Sequence, residues 1–252
     1  MASEFNIKSD IIEIGRRLWQ RGFIASNDGN ISSKLNKEEV LATPSGISKG
    51  FMKPEMIVKV SLDGKVLKVS EGYKPSSEIK MHLEVFRQRK DIHAVVHAHP
   101  PYATAFAVAG IPLDKCVLPE VVLTLGSIPI APYATPSTEE VPQAVRDIIK
   151  QYDALLLANH GALTTGKDLY EAYYRMETLE HLAQITFLAV QLGNMNILPK
   201  QAVDKLLDVK RELAIPGTGP ICQYRDKKQT EEDTESMISK ITEEVIKKIK
   251  SS

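Results

Sequence analysis

Residues 91–100, Asp-Ile-His-Ala-Val-Val-His-Ala-His-Pro, decide how this sequence folds. Their apolar centre predicts a buried strand that ends in two histidines two residues apart. Because side chains at positions i and i+2 of a strand point to the same face, His97 and His99 are expected to project together. Neutral imidazole is a common protein ligand of divalent metals. The end of this strand is therefore predicted to be a metal site, although structural or surface histidines explain an isolated His-x-His pair equally well.

A third imidazole is found in a similar context later in the chain. The tripeptide Asn159-His160-Gly161 follows the apolar run 154–158, so His160 is expected at the exit of a second buried strand. A catalytic zinc ion usually takes three protein ligands and leaves one position open. These three histidines fit that pattern, and a carboxylate could complete the set. Packed or half-exposed positions are expected instead for the other histidines: His82, His93 and His181.

Composition and charge exclude several classes of function. The 252 residues are 43% hydrophobic and 25% charged, as is ordinary for a soluble globular protein. Lysine plus arginine equals aspartate plus glutamate at 32 each, so no overall electrostatic field favours binding of nucleic acid or an anionic membrane.

The cysteines and the absence of long apolar runs bear on location. Cys116 and Cys222 form no Cys-x-x-Cys or disulfide-rich pattern, which indicates a reducing compartment. With no signal segment and no apolar run of about 20 residues, a cytoplasmic location is expected.

The alternation of strand and helix patterns predicts one α/β domain, residues 1–214, with helices on both faces of a central sheet. Asp63-Gly64 lies between two strand patterns, 56–61 and 65–69, and is a strong hairpin signal. The sheet is therefore expected to be mixed or antiparallel. Short extended segments are predicted at 119–124 and 128–131. Helices are predicted at 9–21, 79–86, 100–109, 138–150, 167–192 and 201–213.

Three segments rich in small polar residues could surround an anion. Segments 25–32 and 44–48 have the composition that lets backbone N–H groups and short side chains close around a phosphate. Ser76-Ser77-Glu78 begins a helical pattern, and a helix N-terminus also attracts phosphate. Glu78 could reach a metal beside it. A plain turn and ordinary serine N-caps explain the same residues.

The C-terminal residues have a different composition. Residues 215–236 are mostly charged or hydroxyl-bearing and are predicted to form a flexible linker. Residues 237–252 have an apolar stripe at helical spacing, and so short an amphipathic helix is marginal alone. It is expected either to pack on its own oligomer or to enter a groove of another protein. This segment resembles the C-terminal encapsulation peptides that direct enzymes into bacterial microcompartments, where a shell protein would be its partner.

Five motifs in order resemble the class II aldolase/adducin family, most closely its L-fuculose-1-phosphate aldolase branch. The resemblance spans about residues 7–214 and implies a three-layer α/β/α fold and a homotetramer with active sites at subunit interfaces. It implies one zinc ion per subunit, held by the three histidines, with Glu78 as a further ligand and catalytic acid/base. The motifs are Gly29-Asn30-Ile31-Ser32, Pro44-Ser45-Gly46, Ser76-Ser77-Glu78, His97-Ala98-His99-Pro100 and Asn159-His160-Gly161. The implied ligands of the substrate phosphate are Asn30, Ser45, Gly46, Ser76 and Ser77.

The activity that the resemblance implies is cleavage of a ketose 1-phosphate, L-fuculose 1-phosphate or a relative such as L-rhamnulose 1-phosphate. The products would be dihydroxyacetone phosphate and an aldehyde, L-lactaldehyde for these sugars. One departure concerns a tyrosine that a neighbouring subunit supplies as proton donor, because Leu118 stands at its position. Glu120, two residues further on, could take an acid/base role or simply lie at a subunit contact.

Other members of the family offer alternatives. The sugar-phosphate 4-epimerases resemble the chain but have aspartate where Glu78 stands. Methylthioribulose-1-phosphate dehydratases have an acid/base glutamate near the position of Glu120 and do not normally have Glu78. An adducin-head-like binding module would be expected to have lost its metal ligands, whereas all three histidines are present here.

Overall fold

The computed structural model describes residues 3–217 and 219–225. These contain one eight-stranded sheet in the order β4-β3-β2-β1-β5-β8-β7-β6, antiparallel throughout except for the parallel pair β6 and β7. The strands are β1 (Asn30–Lys34), β2 (Glu39–Ala42), β3 (Val58–Ser61), β4 (Val66–Lys68), β5 (Ala94–Ala98), β6 (Ile130–Ala131), β7 (Ala154–Leu157) and β8 (Gly161–Gly166). The α-helices are α1 (Glu4–Gln20), α2 (Ile79–Gln88), α3 (Pro101–Ala109), α4 (Pro119–Thr124), α5 (Glu140–Arg146), α6 (Leu169–Gln191) and α7 (Lys200–Glu212). Short 3-10 helices span Lys49–Phe51, Pro54–Met56 and Ile148–Lys150.

Helices cover both faces of the sheet, as predicted. One core lies between the sheet and helices α1, α3 and α6, and the other between the sheet and helices α2 and α5. Neighbouring residues of β5 alternate between them, with Val96 in the first core and Val95 in the second. A strand buried on both faces has a continuous apolar sequence, which is the pattern seen in residues 94–98. None of the helices in the described ranges is long and apolar enough to cross a membrane.

Two local predictions differ from the structure. Residues 119–124, expected to be extended, form helix α4, because Pro119 suits the first helical turn and the side chains of Val121 and Val122 are buried. Helix α1 begins at Glu4 rather than near Ser9, because the Ser3 hydroxyl caps it by accepting a hydrogen bond from the Asn6 amide. The Asp63-Gly64 hairpin between β3 and β4 is confirmed.

The packed domain extends beyond the predicted boundary at residue 214. Residues 219–225, expected to belong to a flexible linker, pack on the domain instead, with Cys222 buried and the Cys116 amide donating to the Gln223 carbonyl at 2.9 Å. A disulfide joins Cys116 to Cys222 across 106 residues. Disulfides persist in oxidising compartments, so the cysteines no longer support a reducing one. The remaining predicted linker, 226–236, and the amphipathic segment, 237–252, lie outside the described residues.

Candidate active site

The topology of the sheet brings the three histidines together. His97 lies near the end of β5, and His99 follows that strand. Strand β8 runs antiparallel to β5 with Ala98 opposite Ala162, so the turn that precedes β8 lies beside the end of β5. His160 occupies this turn. The three ring centroids are 4.8–5.0 Å apart, as the strand-end argument predicted.

The ligand atoms of the cluster converge on a small volume. One nitrogen from each of the three histidines lies within 4.8 Å of the others, and the Nε2 atoms of His97 and His99 are 3.1 Å apart. The Nδ1 atom of His97 lies 2.9 Å from the Ala162 carbonyl oxygen, to which it donates when it bears the proton. This bond leaves the Nε2 lone pair of a neutral His97 directed at the cluster. Such backbone partners commonly orient metal-binding histidines.

Glu78 adds a carboxylate to the cluster. It immediately precedes α2, and its Oε1 lies 3.2 Å from His160 Nε2 while its Oε2 lies 3.4 Å from His97 Nε2. Asn30, at the start of β1, donates to Oε2 at 2.8 Å. Glu78 Oε1 is buried and accepts no hydrogen bond from the described residues. A buried oxygen without a hydrogen bond, beside three imidazoles, fits a divalent cation.

Burial and mutual charge set the protonation of this cluster. Burial, with the nearby charge of His97, lowers the pKa of His99 to about 3 and that of His160 to about 4. Burial also acts to lower the pKa of His97, but the Glu78 charge and hydrogen bond raise it above its ordinary value. Burial would raise the pKa of Glu78, yet His97, His160 and Asn30 together hold it well below its usual range. Two imidazoles are thus neutral near pH 7 and ready to bind a metal.

The segments predicted to bind phosphate are joined by backbone hydrogen bonds. The Ser45 amide donates to the Lys74 carbonyl at 2.8 Å, and the Ser76 amide donates to the Thr43 carbonyl at 3.3 Å. The Ile31 amide donates to the Thr43 hydroxyl at 3.1 Å. These bonds place the start of β1, the loop after β2 and the loop before α2 side by side. Four of the predicted phosphate ligands, Asn30, Ser45, Gly46 and Ser76, lie on these segments.

The remaining details of these loops are compatible with an anion site. Gly46 adopts a φ of +74° in an exposed turn, a conformation that favours glycine. The Ser76 hydroxyl accepts from the Glu78 amide at 3.3 Å, as an ordinary cap does. Ser77 is exposed, and the Ser137 hydroxyl donates to its hydroxyl at 2.8 Å. Ser76 and Ser77 therefore stand at the N-terminus of α2, next to the Glu78 carboxylate.

One predicted residue lies apart, and two others gave no signal in the sequence. Glu120 is exposed on α4, and the described chain shows no contact between its side chain and the histidines. The Oδ2 atom of Asp28 lies 3.7 Å from Nδ1 of His99. The side chain of Lys49 is buried, with only 2% of its surface exposed. Neither belongs to a metal-binding pattern, because a single charged residue in a small-residue loop has no diagnostic spacing.

Comparison with known proteins identifies the family. The model of the class II aldolase and adducin N-terminal domain matches residues 9–187. A 3-oxo-tetronate 4-phosphate decarboxylase of Pectobacterium atrosepticum is 34% identical over 201 residues, covering 78% of this chain and 89% of that protein. An L-fuculose phosphate aldolase of Methanococcus maripaludis is 35% identical over 188 residues, covering 73% and 98%. A solved L-fuculose 1-phosphate aldolase superposes with a TM-score of 0.76 at 31% identity, covering 84% and 98%. The chain therefore belongs to the class II aldolase and adducin family.

Proposed function

We propose that this enzyme is a zinc-dependent lyase that cleaves a ketose 1-phosphate, L-fuculose 1-phosphate or a close relative such as L-rhamnulose 1-phosphate. The products are dihydroxyacetone phosphate and an aldehyde, L-lactaldehyde for these sugars. The observation that supports it best is the position of Glu78, within 3.2 Å of His160 and 3.4 Å of His97 and hydrogen-bonded to Asn30. This arrangement holds a carboxylate against two of the three imidazoles.

Cleavage between C3 and C4 needs a group that moves one proton. A base removes the proton of the C4 hydroxyl, the C3–C4 bond breaks toward C3, and the aldehyde departs while C3 takes up a proton. We assign the transfer of this proton to Glu78, whose carboxylate accepts a hydrogen bond from Asn30 and lies beside His97 and His160. Zinc held by His97, His99 and His160 would supply the Lewis acid that stabilises negative charge on the three-carbon product.

The predicted phosphate ligands would hold the substrate at a distance from the reacting bond. Binding energy from the phosphate fixes the position of C3 and C4 relative to Glu78. The chain offers backbone amides and neutral side chains for this purpose. The ligands proposed are Asn30, Ser45, Gly46, Ser76 and Ser77.

A second candidate is decarboxylation of 3-oxo-tetronate 4-phosphate, the reaction named for the Pectobacterium relative. Loss of carbon dioxide from this 3-oxo acid leaves a three-carbon enediolate, the same species that cleavage of the ketose 1-phosphate leaves. It becomes dihydroxyacetone phosphate when it is protonated. The leaving carboxylate has no hydroxyl proton to be removed. Leu118 at the position of the family's tyrosine would therefore not impair this reaction, and this favours the decarboxylase as the alternative.

One assay separates the two candidates. Zinc-loaded protein is supplied with each substrate, and dihydroxyacetone phosphate is followed by coupling to a reductase, with aldehyde and carbon dioxide measured separately. The aldolase predicts turnover of the ketose 1-phosphate and equal amounts of aldehyde, abolished in Glu78→Gln and His97→Ala. Turnover only of the 3-oxo acid would replace the aldolase by the decarboxylase. No product from either substrate would contradict both candidate functions. The dehydratase and epimerase reactions would then be tested next, with Glu120 as the residue to substitute.

Assembly and location belong to the same proposal. We propose a homotetramer in which a neighbouring subunit brings Glu120 to the site. A Glu120→Gln variant with reduced turnover and unchanged zinc content would support this.

Residues 237–252 are proposed to act as an encapsulation peptide that binds a microcompartment shell protein, joined through the linker 226–236. A reporter fused to residues 231–252 that stays evenly dispersed in compartment-forming cells would refute this. The cytoplasmic location stays a prediction, and the Cys116–Cys222 disulfide is an argument against it.

A further inference from the structure

Lys49 is among the largest side chains that the fold buries completely. It begins the 3-10 helix Lys49–Phe51 under α1, where a Cβ added to Gly15 would lie 2.6 Å from the Lys49 carbonyl oxygen. Burying an ammonium group is costly unless its donors find partners. No step of the proposed mechanism uses this lysine, so its burial next to the candidate site needs another explanation.

The Lys49 ammonium fastens two loops together. Its Nζ donates to the Asn27 carbonyl at 2.6 Å and to the Ile47 carbonyl at 2.8 Å. Asn27 lies three residues before Asn30, and Ile47 directly follows Gly46. One side chain therefore joins the backbones of loop 27–30 and loop 44–48, which bear three of the five proposed phosphate ligands.

The charge of Lys49 also matches the ligand that these loops are proposed to bind. Burial lowers the pKa of Lys49 to about 8, while the carboxylates of Asp28 and Glu78 act to raise it. The group therefore remains largely protonated at pH 7. The five proposed phosphate ligands offer only uncharged donors, and the two carboxylates repel an anion. A fixed positive charge between the loops would offset that repulsion.

We propose that Lys49 is a positioning residue of the phosphate site, which holds loop 27–30 against loop 44–48 and supplies the positive charge that a phosphate dianion requires. This inference rests on the proposed function, because it takes a phosphorylated sugar as the substrate. It assigns no contact between Lys49 and the reacting carbons. The expected signature is weaker phosphate binding at an intact metal centre.

The test measures inorganic phosphate binding to zinc-loaded protein by calorimetry, for wild type, Lys49→Met and Lys49→Gln. Both variants are expected to raise the Kd of phosphate at least tenfold, with zinc content and the circular dichroism spectrum unchanged. The matched control is Lys34→Met, because Lys34 is also partly buried, donates to the Arg89 carbonyl and lies at the opposite end of β1. Its phosphate Kd is expected to equal that of wild type.

Two further readouts separate positioning from general structural damage. The substitutions at Lys49 are expected to raise KM for the phosphorylated substrate more than they lower kcat. In unaltered protein, phosphate is expected to slow amide hydrogen exchange in loops 27–30 and 44–48 together, a result that does not depend on any variant folding. A phosphate Kd within twofold of wild type in folded Lys49→Met, or protection confined to one loop, would overturn the inference.

Failure of this inference can be told from failure of the proposed function. Wild-type protein that binds phosphate through Lys49 but cleaves neither candidate substrate would refute the reaction and leave the role of Lys49 intact. Wild-type protein that cleaves a ketose 1-phosphate, with phosphate affinity unaffected by Lys49→Met, would refute the role of Lys49 alone.

Discussion

Gly161 leaves room for the imidazole rings, so Gly161→Ala should damage the metal centre without removing a ligand. A Cβ at this position would lie 2.6 Å from the Ala98 carbonyl oxygen and 2.6 Å from Cδ2 of His99. Ordinary contact begins near 3.4 Å, so neighbours must move by about 0.8 Å (3.4 − 2.6). The Ala98 backbone is held in the sheet by its pairing with β8. The His99 ring must therefore move as well.

A displacement of this size exceeds the roughly 0.5 Å that a preorganised site tolerates. We expect zinc affinity to fall about 10–100-fold, the usual effect of disturbing the partners that orient metal ligands. Competition with a chromogenic chelator at pH 7 measures this. The matched control is Gly166→Ala at the other end of β8, whose Cβ would lie 2.5 Å from the Ala172 amide nitrogen. It should lose stability but keep its zinc affinity. A zinc Kd for Gly161→Ala within twofold of wild type, or an equal loss in Gly166→Ala, would refute the reasoning.

Three further predictions follow from the same contacts. Although burial acts to lower it, the Glu78 charge raises the pKa of His97 above its ordinary value, so this ring is more protonated at pH 6.5 in metal-free protein than an ordinary imidazole. Zinc binding should therefore release protons at that pH, and fewer as pH rises through the pKa of His97. Glu78→Gln, which removes the charge that raises this pKa, should reduce the release, as measured by calorimetry in buffers of different ionisation enthalpy. Chelation of the metal should lower the melting temperature of wild type more than that of His97→Ala, since only native protein with an intact site gains stability from the ion; equal shifts in both would contradict this. Replacing Cys116 and Cys222 by serine should reduce the free energy of unfolding by about 2–4 kcal/mol, because the disulfide closes a long loop, and unchanged denaturant midpoints would show that the bridge does not stabilise the fold.

The sequence predicted those parts of the site that depend on the spacing of residues along a single strand. The i, i+2 spacing of His97 and His99 fixed their common direction, and the apolar run before His160 placed it at a strand exit. Antiparallel pairing then brings such strand ends together. The Asp63-Gly64 hairpin was predictable because its conformation depends on two residues alone.

Features that depend on the tertiary course of the chain were not predictable in this way. The hydrogen bond from Asn30 to Glu78 spans 48 residues, and the Cys116–Cys222 disulfide spans 106. The sequence suggested that Glu78 could reach a metal, and the resemblance proposed it as a ligand, but no spacing fixed its contacts. Lys49 was not identified at all, because nothing local distinguishes a buried lysine from a solvated one.

The most direct test of the account compares zinc-loaded wild type with Glu78→Gln on L-fuculose 1-phosphate at equal zinc content. Removing a positioned acid/base group commonly costs about 10²–10⁴-fold in rate. The account predicts that Glu78→Gln keeps its zinc and loses at least about 100-fold in dihydroxyacetone phosphate formation. Glu78→Gln that turns over within twofold of wild type, with zinc bound in both, would contradict the central role assigned to Glu78.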